Sequence, residues 1–166
     1  MRNESNSNLP SAHIFPPSRR FNLVAYAFHK VEKITQYPPG SVAFSPDGTT
    51  IVYGTQLAKA IIRKPFTDDP GISIGLDNVP GTAPQFFTSL VHFVTLSPDG
   101  QTLAMVTLDG KIRLWKVADG TLLHEINANS TSMAFSPNCE ILASGSPDGT
   151  LQLWGVADGN LILTLK

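Results

Sequence analysis

Few side chains in this sequence have the types and spacing that catalysis requires. An active site needs a nucleophile, a base, or metal ligands that can converge. The histidines never form an HxH or HxxxH pair; they are His13, His29, His92 and His124. Cys139, the single cysteine, has no basic neighbour of the kind that activates a thiol. The sequence therefore predicts no catalytic, cofactor-binding or metal-binding residue, and we expect that the protein is not an enzyme.

Six aspartates recur along the chain, and each is followed directly by glycine. They are Asp47, Asp99, Asp109, Asp119, Asp148 and Asp158. Clustered carboxylates are typical calcium ligands, but an Asp-Gly pair is also typical of a tight turn, because Asp bonds the turn backbone and Gly adopts positive φ. The regular spacing of these pairs favours turns over a calcium site.

The aromatic residues offer two further candidate sites. Trp115 and Trp154 could stack against a base or a sugar, but their repetition at one strand position favours packing in the core. The least repetitive segment, residues 67–90, contains Phe86 and Phe87. These two residues are either the anchor of a partner-binding loop or part of a buried additional strand, and burial of aromatic area favours the second interpretation.

An internal repeat explains the regular spacing of these residues. Residues 95–126 and 134–165 align without a gap and are identical at 13 of 32 positions. A weaker copy precedes them by 52 residues, where Ser45-Pro46-Asp47-Gly48 matches Ser97-Pro98-Asp99-Gly100. Each copy reads as four short strands joined by Ser-Pro-Asp-Gly and Asp-Gly turns. We therefore predict an all-β fold of four-stranded antiparallel units.

The charge and hydropathy of the chain limit the classes of partner that it can bind. The chain of 166 residues has a net charge of −1 and only 15% charged residues. Nucleic acids and anionic membranes require a basic surface, and no uncharged apolar run approaches a membrane span. We expect no nucleic-acid or membrane partner. Residues 1–20 lack hydrophobic periodicity and any signal-peptide core, so we predict a disordered tail and a cytoplasmic protein.

The repeats resemble those of the WD-repeat β-propeller family. The segments VTLDGKIRLWKVADGTLL and SGSPDGTLQLWGVADGNLI carry the resemblance, with a period near 40 residues and a strand ending in Leu-Trp. The resemblance implies four-stranded blades and a hydrogen-bond network within each complete repeat. The residues that match this network are Asp109, Trp115, Ser144, Asp148 and Trp154. The repeats are degenerate, because Met105 replaces the hydroxyl residue and neither repeat is preceded by a Gly-His pair.

The strands amount to about three and a half blades, whereas closed propellers have 4–8. We predict a half blade over 21–36 and blades over about 41–90, 91–126 and 131–166. Such a chain is a partial or small propeller, whose open blade faces would promote self-association. Three arrangements remain: a segment of a longer propeller, an arc capped by a partner, or a small ring.

The resemblance implies a function in protein–protein interaction, without a common substrate or cofactor. We therefore expect a non-enzymatic scaffold that binds an unknown protein partner. One alternative is a propeller that binds a small ligand, or acts as an enzyme, in its central channel. Another is a structural segment of a larger multidomain repeat protein.

Overall fold

The computed structural model describes residues 40–55, 58–64, 67, 71–76 and 90–166. All of them belong to one compact unit, residues 33–166. The predicted tail over 1–20, the predicted half blade over 21–36 and the Phe86-Phe87 pair lie outside the described residues.

The described residues form twelve strands in three antiparallel sheets of four strands each. This arrangement confirms the all-β prediction and the four-stranded blades. Blade 1 contains β1 (Val42–Phe44), β2 (Ile51–Gly54), β3 (Lys59–Arg63) and β4 (Ile72–Gly75). Blade 2 contains β5 (Val91–Leu96), β6 (Thr102–Thr107), β7 (Lys111–Lys116) and β8 (Leu122–Asn127). Blade 3 contains β9 (Ser132–Phe135), β10 (Ile141–Gly145), β11 (Leu151–Gly155) and β12 (Leu161–Leu165).

Each strand pairs with its neighbours in sequence, so every blade is a simple meander. The first two strands of each blade are joined by a serine-based turn. In blade 2 the Ser97 hydroxyl donates to the Asp99 carboxylate and accepts from the Thr102 amide at 2.9 Å. The Gly100 amide donates to the Ser97 carbonyl at 2.8 Å. The same contacts recur at Ser45 in blade 1 and, with the Asn138 amide oxygen in place of the carboxylate, at Ser136 in blade 3. One turn geometry is therefore repeated in all three blades.

The core lies between the blades. The first strands of successive blades are in contact, β1 with β5 and β5 with β9. One apolar cluster joins blade 1 to blade 2, and a second joins blade 2 to blade 3. Blade 2 is therefore covered on both sides, and Leu103 to Thr107 on β6 are all buried. A sheet that is apolar on both faces requires such a sandwich.

Candidate interaction surface

Every blade has two faces, which alternate along each strand. We call the face turned to the following blade the forward face, and the face turned to the preceding blade the backward face. In blade 2 the forward face contains Ala104, Val106, Ile112, Leu114 and Ile126, which pack against blade 3. Its backward face contains Val94, Leu96, Leu103, Met105 and Trp115, which pack against blade 1. Two complete inter-blade interfaces thus define what each face contacts.

No described residue packs over the forward face of blade 3. It contains Ala143, Leu151, Leu153, Leu163 and Leu165, aligned by cross-strand pairing. Leu151 is 40% exposed and Leu165 is 48% exposed. The residues at the same positions in blade 2, Ile112 and Ile126, are 0% and 5% exposed. Blade 3 therefore presents to solvent an apolar surface of the kind that blade 2 buries.

Among the residues that the structure describes, the backward face of blade 1 is open in the same way. Val42 is 46% exposed and Phe44 is 37% exposed. Their counterparts one blade later, Val94 and Leu96, are 1% and 9% exposed. Arg63 occupies the position that Trp115 takes in blade 2, and its Nη2 donates to the Thr67 carbonyl at 3.2 Å. By strand alternation, β3 brings two charged side chains, Lys59 and Arg63, to this face beside its apolar residues.

Of the network residues that the resemblance predicts in blade 3, the structure brings two together. The Trp154 indole Nε1 donates to the Ser144 hydroxyl at 2.8 Å, and both side chains are buried. Asp148 lies in the turn between β10 and β11, where it accepts from the Thr150 amide at 2.9 Å and the Thr150 hydroxyl at 2.7 Å. These bonds lower the pKa of Asp148. Asp148 therefore stabilises the turn, whereas the bond between Trp154 and Ser144 links strands β10 and β11.

In blade 2 the corresponding aspartate belongs to a charged cluster. Asp109 accepts from Arg113 Nη2 at 2.7 Å and from the Thr107 hydroxyl at 2.6 Å. Arg113 also donates from Nε to Glu125 at 2.8 Å, and its side chain is only 4% exposed. Burial raises the pKa of Asp109, but the bonds from Arg113 and Thr107 outweigh it, so the pKa lies below its usual range. Burial lowers the pKa of Arg113, but Asp109 and Glu125 outweigh that effect and raise it.

Trp115 in blade 2 lacks the partner that Trp154 has. Its side chain is fully buried, and its Nε1 finds no hydrogen-bond partner among the described residues. The position of Ser144 is occupied in blade 2 by Met105, which has no hydroxyl group to accept the bond. Trp115 therefore contributes apolar packing rather than a polar link.

A polar cavity of about 440 Å³ opens between the turn ends of blades 2 and 3. Its lining includes Asp109, Lys111, Asn129, Asp148 and Gln152. The two carboxylates already accept bonds from their own turns, as described above. The cavity lies between two adjacent blades and has the size of a small-ligand pocket.

Few side chains in the described part of the chain are arranged for catalysis or metal binding. No group of three or more His, Cys, Asp or Glu side chains there is placed to share a metal ion. The Asp-Gly pairs lie in turns, with positive φ at Gly48, Gly100, Gly110, Gly120, Gly149 and Gly159. Among the described residues we find no helix that is both long and apolar enough to cross a membrane.

The sequence did not identify two groups of residues that the structure reveals. One is the buried Arg113 with Glu125, which face each other directly across β7 and β8. Their opposite charges at paired strand positions were the available signal. The other is the set of exposed residues on the two open faces, because the strand count predicts open faces but not which side chains they expose.

Comparison with protein families agrees with this architecture. Residues 120–155 match the WD domain, G-beta repeat family. Residues 79–133 match the family described as the Anaphase-promoting complex subunit 4 WD40 domain. These matches support the resemblance to WD repeats over residues 79–155, which include blade 2 and the first three strands of blade 3. A search among curated proteins gave no match.

Proposed function

We propose that this chain is a non-enzymatic interaction scaffold that binds protein through its open blade faces. One observation carries the proposal: residues that are buried between blades 1 and 2, or 2 and 3, have exposed counterparts on the outer sides of blades 1 and 3. Leu151, Leu163 and Leu165 are 40–48% exposed on neighbouring strands of one face. Contiguous apolar surface of this kind marks interaction sites in soluble proteins.

The family supports the same conclusion. WD40 repeats generally mediate protein–protein interaction or scaffolding. The family that matches residues 79–133 is named for a subunit of the anaphase-promoting complex. For this chain we propose a protein partner, in keeping with the low charge that disfavours nucleic acid and membrane surfaces.

The experiment places a photoreactive benzoylphenylalanine at Leu163, on the open forward face of blade 3, in cells that express the chain natively. Leu108, which is 55% exposed in the turn before β7, is the matched control because it lies on neither face. We expect a discrete protein adduct at position 163 and none at position 108. Adducts at neither position, or equally at both, would overturn the proposal.

A second candidate function is small-ligand binding, favoured by the polar cavity between blades 2 and 3. It would place the ligand between two adjacent blades rather than in the central channel. Asp148→Ala and Gln152→Ala change the lining of this cavity without touching the forward face of blade 3. If ligand binding is the function, a small-molecule library should shift the melting temperature of the wild type and not of these variants.

A further inference from the structure

The buried arginine of blade 2 occupies a complete guanidinium site. Arg113 donates from Nη2 to Asp109 at 2.7 Å and from Nη1 to the Thr107 hydroxyl. It also donates from Nε to Glu125 at 2.8 Å. All of these groups belong to one blade, so the site is built from the repeat itself.

Blade 3 repeats this site without the arginine. The residues that follow Thr107, Asp109 and Arg113 by 39 positions are Ser146, Asp148 and Gln152. The turn aspartate and the hydroxyl group are retained, whereas a neutral amide replaces the guanidinium. The side-chain amide of Gln152 makes no hydrogen bond within the described part of the chain. Thr164 stands at the position of Glu125, so blade 3 keeps one of the two carboxylates.

The polar cavity between blades 2 and 3 lies where the arginine is missing. Asp148 and Gln152 line this space of about 440 Å³ from blade 3, and Asn127 and Asn129 line it from blade 2. No described residue forms a hydrogen bond with the side chain of Asn127 or Asn129. Their amide oxygens are therefore available to accept bonds from a ligand.

Two of the charged side chains in the lining already have partners within blade 2. Asp109 pairs with Arg113 at 2.7 Å, and Lys111 Nζ pairs with Glu125 at 2.5 Å. Neither side chain brings an unbalanced charge to the cavity.

Asp148 is the charged side chain of the lining that forms no ion pair with a described residue. Both bonds from Thr150 go to its Oδ1 atom. These bonds are the main cause that lowers the pKa of Asp148, and the charge of Lys166 adds to the effect. The cavity therefore presents one ionised carboxylate together with neutral amide and hydroxyl groups, a set that favours a cation with several N–H donors.

We propose that this cavity binds the guanidinium group of an arginine side chain from a protein partner, with Asp148 as the anchoring carboxylate. The proposal rests on the proposed function for the class of partner, but it uses a different surface. A guanidinium presents its donors in a planar fork that matches carboxylate geometry, whereas an ammonium group is a point charge. Blade 2 holds a guanidinium with the same turn aspartate and hydroxyl group, so the repeat already has the required geometry.

The probe is a capped pentapeptide with one arginine between two pairs of glycines. The same peptide with lysine or with citrulline at the centre is the matched comparison. Binding is followed in ¹H–¹⁵N spectra at the Thr150 backbone amide and the Gln152 side-chain amide, both of which line the cavity. We expect the arginine peptide to bind in the millimolar range, the lysine peptide about tenfold more weakly, and the uncharged citrulline peptide not at all.

Three variants locate the binding. Asp148→Asn removes the carboxylate and should weaken binding of the arginine peptide about tenfold or more. Gln152→Arg supplies the guanidinium from the chain itself, as in blade 2, and should abolish binding. Asp158→Asn removes another turn carboxylate of blade 3, outside the cavity lining, and should leave binding unchanged. Circular dichroism establishes that each variant is folded.

Several results would overturn the proposal. The arginine peptide could fail to bind, the citrulline peptide could bind equally well, or Gln152→Arg could retain full binding. Methylguanidine is the probe for a free small molecule, and its binding as tightly as the peptide would overturn the assignment to a protein partner.

The crosslinking experiment at position 163 tests the proposed function separately. A discrete adduct there without peptide binding refutes the cavity site alone. Peptide binding without any adduct refutes the open blade faces as the interaction surface and leaves the cavity site standing.

Discussion

Trp154 donates a hydrogen bond to Ser144 at 2.8 Å across β10 and β11, inside the interface between blades 2 and 3. At the same position one blade earlier, Trp115 is fully buried, and its Nε1 has no partner among the described residues. The difference comes from one residue, since blade 2 has Met105 where blade 3 has Ser144. A buried donor without a partner costs stability, so blade 2 depends on packing and on its charged cluster.

The tryptophan–serine bond should be measurable by a double-mutant cycle. Ser144→Ala orphans the Trp154 Nε1 and should lower the free energy of unfolding by about 1–3 kcal/mol. In a Trp154→Phe background the same change should cost less than about 0.5 kcal/mol, because no donor remains to be orphaned. Urea denaturation at one protein concentration gives both values. Equal costs in the two backgrounds would show that the bond contributes nothing.

Much of the fold could be predicted from the sequence because it depends on local chemistry. Most turns between strands use Ser-Pro-Asp-Gly or Asp-Gly, and hydrogen bonds such as Ser97 to Asp99 close within a few residues. Such contacts form wherever the motif occurs. The duplication of residues 95–126 at 134–165 then requires blades 2 and 3 to share one architecture.

Burial could not be predicted in the same way, because it depends on what lies beside each blade. Leu114 and Leu153 are the same residue at the same strand position, yet Leu114 is buried and Leu153 is only partly buried. The burial of Arg113 could not be predicted either, since arginine is rarely found buried unless it is paired. Its partners Asp109 and Glu125 come from a turn and a neighbouring strand.

The charged cluster of blade 2 should be far more sensitive to loss of its buried cation than of its exposed one. Arg113→Met removes the buried partner of Asp109 and Glu125, and should lower the free energy of unfolding by about 1–3 kcal/mol, because both carboxylates are partly exposed and keep other donors. Lys111→Met also removes a partner of Glu125, but Lys111 is partly exposed, so we expect less than about 1 kcal/mol. Chemical denaturation of the two variants makes the comparison. A similar small loss for both would mean that the buried arrangement is not stabilising.

Stability should fall in acid, because hydrogen bonds in the folded protein lower the pKa of its turn aspartates. The pKa of Asp47 falls to about 2, chiefly through the Ser45 hydroxyl, and that of Asp119 falls to about 2 through Lys116. Lys111 lowers the pKa of Glu125. In the unfolded chain these groups return to their usual values of 3.8 and 4.5. The unfolded state therefore binds protons first, and the stabilisation present above about pH 5 is lost progressively down to about pH 2.

Urea unfolding at a series of pH values measures this loss. We expect a flat region near neutral pH and a steady fall in the free energy of unfolding below about pH 4.5. Asp47→Asn, which cannot ionise, should show a shallower fall than the wild type. A profile that stays level from pH 6 to pH 2.5 would contradict the argument.

Cys139 occupies a turn position that suits glycine. Its φ is 63°, and Gly100 at the equivalent position of blade 2 has a φ of 71°. A side chain in this left-handed region is strained, so Cys139→Gly should raise the free energy of unfolding by about 0.5–1 kcal/mol. Gly100→Ala should lower it by a similar amount through strain alone, since nothing lies within 4 Å of the added Cβ. Cys139→Ala is the control for loss of the thiol and should change little. Thermal unfolding under reducing conditions distinguishes the three, and destabilisation by Cys139→Gly would refute the strain argument.

Arg63 marks the place where the open face of blade 1 departs most from its buried counterparts. The equivalent positions carry Trp115 and Trp154, each of which packs inside an interface between blades. Arg63→Trp would restore that apolar area on the open face of blade 1, and it also removes a charge that would have to be desolvated on association. If the exposed blade faces promote self-association, as the sequence predicts, its dissociation constant, measured by sedimentation equilibrium, should fall about tenfold, corresponding to roughly 1.4 kcal/mol. Lys64→Trp places the same residue at a neighbouring exposed position outside strand β3 and should leave the constant unchanged. Equal tightening by both variants would indicate nonspecific adhesion of tryptophan rather than a fitted interface.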